Sequence, residues 1–130
     1  MGSGGEYRCI NCGYVINGIM FGGGFLSCPN HPSVREEILR GEYGKRAKEI
    51  LESDPDARFF AHSRVYCCNC GNMFSKGVVT MCTDRKRNYP LSVKCDRCGK
   101  RMHGFDSPPE MVPCPRCQSP MGFSETLLWD

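Results

Sequence analysis

The sequence predicts a small, metal-stabilised α+β protein made of two or three compact β units joined by a short helical segment. Ligand pairs of the type Cys-x-x-Cys or Cys-x-x-His occur five times in 130 residues. A helical pattern occupies the middle of the chain, and runs rich in β-branched residues follow it. The 40% hydrophobic content counts all 11 cysteines. The apolar core is therefore thin, and small units with little core usually need a metal or a disulfide.

The cysteine content fits metal ligation better than a disulfide framework. The N-terminal stretch MGSGGEYRC has no basic start followed by an apolar core, so it does not resemble a secretory signal. No apolar run is long enough to span a membrane. An odd number of cysteines, 11, also fits complete disulfide pairing badly. These features predict a cytoplasmic metal-binding protein without membrane association.

The first predicted unit covers residues 6–32 and holds three cysteines and a histidine as ligands. Residues 14–16 and 24–26 are predicted as short strands around a glycine-rich turn. The glycine run at 22–24 is not a phosphate-binding loop, because no Gly-Lys-Ser/Thr follows it.

Residues 33–58 are predicted to form a helical connector. Ser33 and Glu36 have the spacing of a capping box at a helix start. Gly41 and Gly44 are expected to divide the segment into two helices. A broken apolar face comes from Val34, Ile38, Ala47, Ile50 and Leu51.

The remaining ligand pairs lie in a predicted C-terminal unit, residues 59–123. The runs GVVTMC and PLSVKC are predicted strands, and DRKRNYP between them is predicted as an exposed turn. The tail, residues 124–130, carries the single tryptophan and is expected to pack back on the fold.

Ten residues are predicted as metal ligands because they occur in pairs at two-residue spacing. Such a turn places both ligand atoms on one side, with backbone amides directed at the sulfurs. Two turns that face each other complete a tetrahedron around zinc, with Zn–S distances near ~2.3 Å. A single pair could be a redox dithiol, but five pairs in one short chain are hard to explain that way. The pairs are Cys9/Cys12, Cys28/His31, Cys67/Cys70, Cys95/Cys98 and Cys114/Cys117.

Several pairings of these ligands are open. The gaps 13–27 and 99–113 are each 15 residues long, which falls inside the spacing window for zinc sites. That arrangement joins Cys9/Cys12 to Cys28/His31 and Cys95/Cys98 to Cys114/Cys117. A third site would then combine Cys67/Cys70 with Cys82 and with one of His62, Cys68 and His103.

Two other arrangements are also open. Cys67/Cys70 could face Cys95/Cys98 across a hairpin, which leaves Cys114/Cys117 to find other ligands. Cys9/Cys12 could instead join Cys67/Cys70 across the chain. Two or three Zn²⁺ ions are expected in total.

Single cysteines and histidines outside the pairs are weaker candidates. Cys68 is expected to be buried, because its side chain should diverge from that of Cys67. Cys82 ends an apolar run, where core packing and ligation are equally expected. His62 and His103 are expected to be structural or solvent-facing.

The knuckles resemble those of two metal-binding families. YRCINCGYVI is similar to the first knuckle of rubredoxins, and KCDRCGKRM and PCPRCQSPM resemble knuckles of zinc ribbons. The layout as a whole is similar to uncharacterised bacterial multi-zinc-ribbon proteins. The resemblance implies zinc-ribbon or rubredoxin-like β units. CPNH stands where a rubredoxin has its second Cys-x-x-Cys, and this histidine favours structural zinc over iron.

A charge asymmetry gives a weak nucleic-acid signal. Residues 61–117 contain 10 Lys and Arg against 4 Asp and Glu, which is +6, whereas the rest of the chain carries 7 against 10, which is −3. Four thiolates around one Zn²⁺ carry −2, and the basic residues beside the knuckles can balance that charge: Lys94, Arg97, Lys100, Arg101 and Arg116. The candidate nucleic-acid contacts are Arg85, Lys86, Arg87 and Tyr89.

The predicted function is a non-catalytic zinc-binding adaptor that presents a ribbon surface to a nucleic-acid or protein partner. The alternative is a rubredoxin-like iron protein for electron transfer or redox sensing. An enzyme with an open zinc site is disfavoured, because the sequence has neither His-x-Glu…Pro-Cys-x-x-Cys nor His-Glu-x-x-His. No small-molecule substrate is indicated.

Overall fold

A computed structural model describes residues 2–23, 27–83 and 86–129 of the chain. These residues form eight strands and two helices, and both helices lie between the second and third strands along the chain. The strands are β1 (Gly2–Arg8), β2 (Val15–Gly22), β3 (Arg58–Cys67), β4 (Met73–Cys82), β5 (Lys86–Tyr89), β6 (His103–Phe105), β7 (Met111–Pro113) and β8 (Pro120–Trp129), and the helices are α1 (Pro32–Leu39) and α2 (Lys45–Ser53).

The protein is mostly β, which corrects the predicted α+β class of separate units joined by a helical segment. One antiparallel sheet curls into a half-barrel with the strand order β5-β4-β3-β2-β1-β8-β7, and β6 pairs with β3. The prediction was wrong because each knuckle was read with its own local hairpin. The strands beside the knuckles instead pair across long sequence separations, and no local pattern reports such pairing. The division into residues 6–32, 33–58, 59–123 and 124–130 stays a prediction.

The N-terminal strand β1 lies between β2 and β8. Its sequence GSGGEYR lacks the apolar alternation of a strand, but glycine allows two backbones to approach closely. A Cβ on Gly5 would collide with the carbonyl oxygen of Ser124 and lie 2.8 Å from Cζ of Phe123. β8 contains most of the tail, so the expected packing of residues 124–129 on the fold is confirmed.

The longest ladder joins β3 to β4 over ten residue pairs, from Arg58 opposite Cys82 to Cys67 opposite Met73. β5 continues this ladder from Lys86 opposite Cys82 to Tyr89 opposite Val79. The predicted turn DRKRNYP therefore contains a strand, and the strand predicted over PLSVKC is wrong. That segment follows β5 and makes one isolated bridge, between Lys94 and Arg101.

The predicted division of residues 33–54 into two helices is confirmed. The predicted cap at Ser33 is wrong: α1 begins at Pro32, and its N-cap is His31, two residues earlier, whose Nδ1 accepts a hydrogen bond from the Ser33 N–H at 3.2 Å. Both helices cover one face of β3, β4 and β5. This helix-side core comprises Val34, Ile38, Ala47, Leu51, Ala57, Phe59, Val79, Met81 and Tyr89.

Two further buried clusters contain the cysteines. One lies between β1, β8 and the end of β3, with Tyr7, Cys9, Ile19, Val65, Cys114 and Met121. The other lies on the opposite face of β3 and β4, with Tyr66, Val78, Val93, Cys95 and Met102. In the part of the chain that the structure describes, no helix is long and apolar enough to cross a membrane.

Two candidate metal centres

The first candidate centre joins the two ends of the sheet. The Sγ atoms of Cys9, Cys12, Cys114 and Cys117 lie within 4.8 Å of one another. Cys9 Sγ is 3.4 Å from Cys117 Sγ, and Cys12 Sγ is 3.6 Å from Cys114 Sγ. A disulfide needs ~2.05 Å between sulfurs, whereas a tetrahedron with Zn–S near ~2.3 Å has edges of about 3.8 Å. The four sulfurs are therefore spaced so that the group could hold a metal ion.

Each knuckle of the first centre is a tight turn closed by two backbone hydrogen bonds. Cys9 N–H donates to Tyr14 O at 2.8 Å, and Gly13 N–H donates to Cys9 O at 2.9 Å. Gly13 has φ 77°, a left-handed conformation that favours glycine. In the C-terminal knuckle Gln118 adopts this conformation, with φ 68°, and donates to Cys114 O.

The second candidate centre has a different spacing in its first knuckle. It consists of Cys68, Cys70, Cys95 and Cys98, whose Sγ atoms also lie within 4.8 Å of one another. Cys68 Sγ is 3.4 Å from Cys98 Sγ, and Cys70 Sγ is 3.6 Å from Cys95 Sγ. The first knuckle is one residue shorter than the others, because Cys68 N–H donates to Asn72 O, four residues later instead of five.

Strand geometry explains why Cys68 joins this group and Cys67 does not. Successive side chains of a strand point to opposite faces. Val65 and Cys67 contact the cluster around Tyr7, whereas Tyr66 and Cys68 contact the cluster around Cys95. Burial raises the pKa of the Cys67 thiol to about 11. In the sequence, strand alternation from Val65 already indicates that Cys67 and Cys68 lie on opposite faces, so that only one of them can join this group.

Polar neighbours donate hydrogen bonds to particular sulfurs in both groups. Asn72 is 9% exposed, and its Nδ2 donates to Cys95 Sγ at 3.3 Å and to Asp96 Oδ1 at 2.6 Å. A backbone hydrogen bond from Cys98, with help from Asn72, lowers the pKa of Cys95 to about 6. Hydrogen bonds from Ser119 and then Asn11 lower the pKa of Cys117 to about 5.

In each group, one thiol has a raised pKa. A backbone hydrogen bond from Tyr14 acts to lower the pKa of Cys12, but desolvation and the three neighbouring thiols raise it to about 12. Cys68 also has its pKa raised to about 12, against a backbone hydrogen bond from Cys70 and for the same reasons. Each group thus contains both a ready thiolate and a thiol that a bound cation must deprotonate.

Other predicted ligands lie outside both centres. Cys28 is exposed, and His31 caps α1; among the described residues, neither belongs to a group of three or more metal-ligating side chains. Cys82 is half-buried at the end of β4, opposite Arg58. His103 is exposed on β6.

The predicted nucleic-acid contacts are separated in space. Lys86 and Arg87 are exposed neighbours on β5, so their side chains lie on opposite faces. Tyr89 is 5% exposed and packs in the helix-side core. Arg85 lies outside the described residues.

Comparison of the chain with protein-family models, with curated proteins and with solved structures finds no match. The cysteine groups alone therefore define the class of site: two sets of four thiols, each of which could hold a metal ion.

Proposed function

We propose that the protein is a non-catalytic zinc-binding adaptor of the cytoplasm, with one Zn²⁺ in each four-cysteine group. The observation that carries this proposal is the convergence of four sulfurs in both groups. Structural zinc sites are closed by four protein ligands, whereas catalytic sites keep a position for water. Four thiolates leave no such position.

The metal ions would hold the sheet in shape for a partner. The first centre connects the β1–β2 turn to the β7–β8 turn, and the second connects the β3–β4 turn to residues 95–98. Each ion would thus join two turns of the chain beside a buried cluster. The adaptor would present the resulting rigid sheet to a nucleic-acid or protein partner.

Native mass spectrometry of the purified chain tests this function. We expect a mass shift equal to two Zn²⁺ per chain, with one ion lost in Cys12→Ser and one in Cys98→Ser. Cys28→Ser is the matched control and should keep both ions. Absence of bound metal in protein purified without chelators, or loss of an ion in Cys28→Ser, would contradict the proposal.

A second candidate is an iron electron-transfer or redox-sensing protein. The histidine that favoured zinc at the N-terminal site is not in the first centre, which contains four cysteines instead. Four thiolates accept iron as well as zinc. Iron-loaded protein would be coloured and would bleach on reduction, whereas a colourless preparation with zinc alone by elemental analysis excludes this candidate.

A further inference from the structure

One face of β3, β4 and β5 carries basic, aromatic and polar side chains, and the two helices cover the other face. Residues directly opposite in an antiparallel ladder have side chains on the same side. The registers align Arg58 with Lys86, Phe60 with Thr80 and Asn88, and Arg64 with Lys76. We call the exposed and half-buried part of this face the basic face; it comprises Arg58, Phe60, His62, Arg64, Lys76, Lys86 and Asn88. Thr80 is buried beneath these side chains, and Val78, opposite His62, packs in the cluster around Cys95.

All charged side chains of the basic face are cationic. The strands β3, β4 and β5 together contain five Lys and Arg and no Asp or Glu. Four of the five lie on the basic face, and Arg87 lies on the other. The ion pairs between described residues include Arg64 with Asp106 at 2.9 Å, but none that involves Arg58, Lys76 or Lys86.

The metal centres do not neutralise all of these cations. The thiolate charge sits at the Cys67–Met73 end of the β3–β4 ladder, where residues 94–101 supply their own basic side chains. Arg58 lies nine residues before Cys67 along β3, a distance of about 30 Å for an extended strand. That exceeds the Debye length of about 8 Å at physiological ionic strength. The far end of the basic face therefore stays positive in the metal-loaded protein.

Aromatic rings lie between the cations. The rings of Phe60 and His62 are 5.7 Å apart, inclined at 38°, and both side chains are half-buried. The Arg64 guanidinium lies 5.7 Å from the centre of the Tyr66 ring and is 18% exposed. Desolvation lowers the pKa of His62, which disfavours the charged form of its ring. Flat rings framed by Arg and Lys are the features on which unpaired bases stack.

Polar atoms with hydrogen-bonding capacity flank the rings. His62 Nε2 is 2.9 Å from Thr80 Oγ1 and 3.4 Å from Asn88 Oδ1, and the Thr80 hydroxyl donates to Asn88 Oδ1 at 2.6 Å. This network fixes the His62 ring against the sheet. A rigid ring loses little conformational entropy when a base stacks on it.

We propose that the basic face binds single-stranded nucleic acid, with bases stacked on Phe60 and His62 and phosphates at Arg58, Lys76 and Lys86. This proposal rests on the proposed adaptor function and specifies single-stranded nucleic acid as the adaptor's partner. Paired bases are stacked on each other inside a duplex, so these rings require an unpaired strand. An acidic protein would match the charge but would give the paired rings no role.

Fluorescence anisotropy with labelled 12-nucleotide oligo(dT) and oligo(rU) tests the proposal on zinc-loaded full-length protein. We expect binding that weakens with salt, with a slope of roughly −0.7 per phosphate neutralised. Lys86→Gln should weaken binding and reduce the slope by about 0.7. Arg87→Gln is the matched control, because it removes the same charge from the adjacent position on the helix-side face, and it should change little.

Phe60→Leu tests the stacking contact without a change in charge. We expect about 5- to 150-fold weaker binding, the range for loss of one stacked base, with an unaltered salt slope. Thermal melting and zinc content establish that each variant is folded. Equal effects of Lys86→Gln and Arg87→Gln, or equal affinity for a 12-base-pair duplex, would overturn the proposal.

Two further outcomes separate this proposal from the adaptor function. If polyglutamate of matched charge competes as well as the oligonucleotide and Phe60→Leu has no effect, an acidic protein is the partner and the nucleic-acid proposal fails. Protein that holds two zinc ions and binds no oligonucleotide at low salt also overturns it, while the zinc-binding function stands.

Discussion

Adjacent cysteines at the end of β3 have different environments. Cys68 Sγ lies 3.4 Å from Cys98 Sγ in the second centre, whereas Cys67 packs beside the cluster around Tyr7. The two side chains are chemically identical, so the strand alternation alone separates a candidate ligand from a half-buried packing thiol. The pair therefore offers a test in which each variant is the control of the other.

We expect Cys68→Ser to lose one of the two metal ions and Cys67→Ser to keep both. Serine at 68 removes a thiolate from the tetrahedron, whereas serine at 67 changes a half-buried packing residue and should cost about 1–2 kcal/mol of unfolding free energy. Native mass spectrometry gives the stoichiometry, and urea denaturation gives the free energy. The reverse result would assign Cys67 to the centre, as the two-residue spacing predicted.

The side chain of Asn72 contacts the second centre without being a ligand. We expect Asn72→Ala to weaken metal retention at this centre by about 10- to 100-fold, the usual effect of losing a hydrogen bond to a ligand. The physical reason is the lost bond from Nδ2 to Cys95 Sγ. Competition with a chromophoric chelator measures the change. Asn69→Ala, at an exposed position in the same turn, should have little effect.

At the scale of single elements, β1 depends on the absence of a side chain at one position. We expect Gly5→Ala to separate β1 from β8, because the added methyl group would collide with the Ser124 carbonyl oxygen. Gly77→Ala is the matched control, since a Cβ at that strand position would meet nothing within 4 Å. Amide exchange of residues in β1 and β8 reports the separation. Equal protection of both variants would argue against this pairing.

The helix pair is held by its buried apolar residues. We expect Leu51→Ala to cost about 2–5 kcal/mol of unfolding free energy, the range for truncating a buried leucine. Leu51 is 1% exposed in the helix-side core, whereas the neighbouring Glu52 is exposed. Glu52→Ala should therefore change the stability by less than about 0.5 kcal/mol. Thermal or chemical denaturation of both variants measures the difference.

At the scale of the whole molecule, metal removal should affect the three buried clusters unequally. The helix-side core contains no cysteine, whereas each of the other two clusters contains ligands of one centre. We expect chelation to raise amide exchange in the four knuckles and in β7 well before it does so in α1, α2 and β4. Hydrogen-exchange mass spectrometry with and without chelator checks this order. Uniform exchange along the chain would show instead that the whole protein unfolds as one cooperative unit when the metal is removed.

Three of the knuckles and the two helices could be predicted from the sequence because they depend on local spacing. Their turns and caps involve residues within about five positions of one another. The second centre resembles one arrangement that the sequence left open, Cys67/Cys70 with Cys95/Cys98, although Cys68 takes the place of Cys67. The first centre could not be predicted, since the two 15-residue gaps suggested local partners for Cys9 and Cys95. The structure instead joins Cys9 to Cys117, 108 positions away. The sheet was missed for the same reason, because strand β1 of glycine and polar residues acquires its conformation from β2 and β8.

The long separation within the first centre also orders the events of biosynthesis. The second centre joins cysteines 25 and 30 positions apart, so a nascent chain can close it soon after Cys98 leaves the ribosome. Cys12 must wait for Cys114, 102 positions later, which is roughly 5 to 20 s at bacterial and eukaryotic translation speeds. During that interval the N-terminal knuckle offers a cation only two sulfurs. If this centre holds a metal ion, its four-sulfur site can therefore be completed only late in maturation, after the arrival of the C-terminal knuckle.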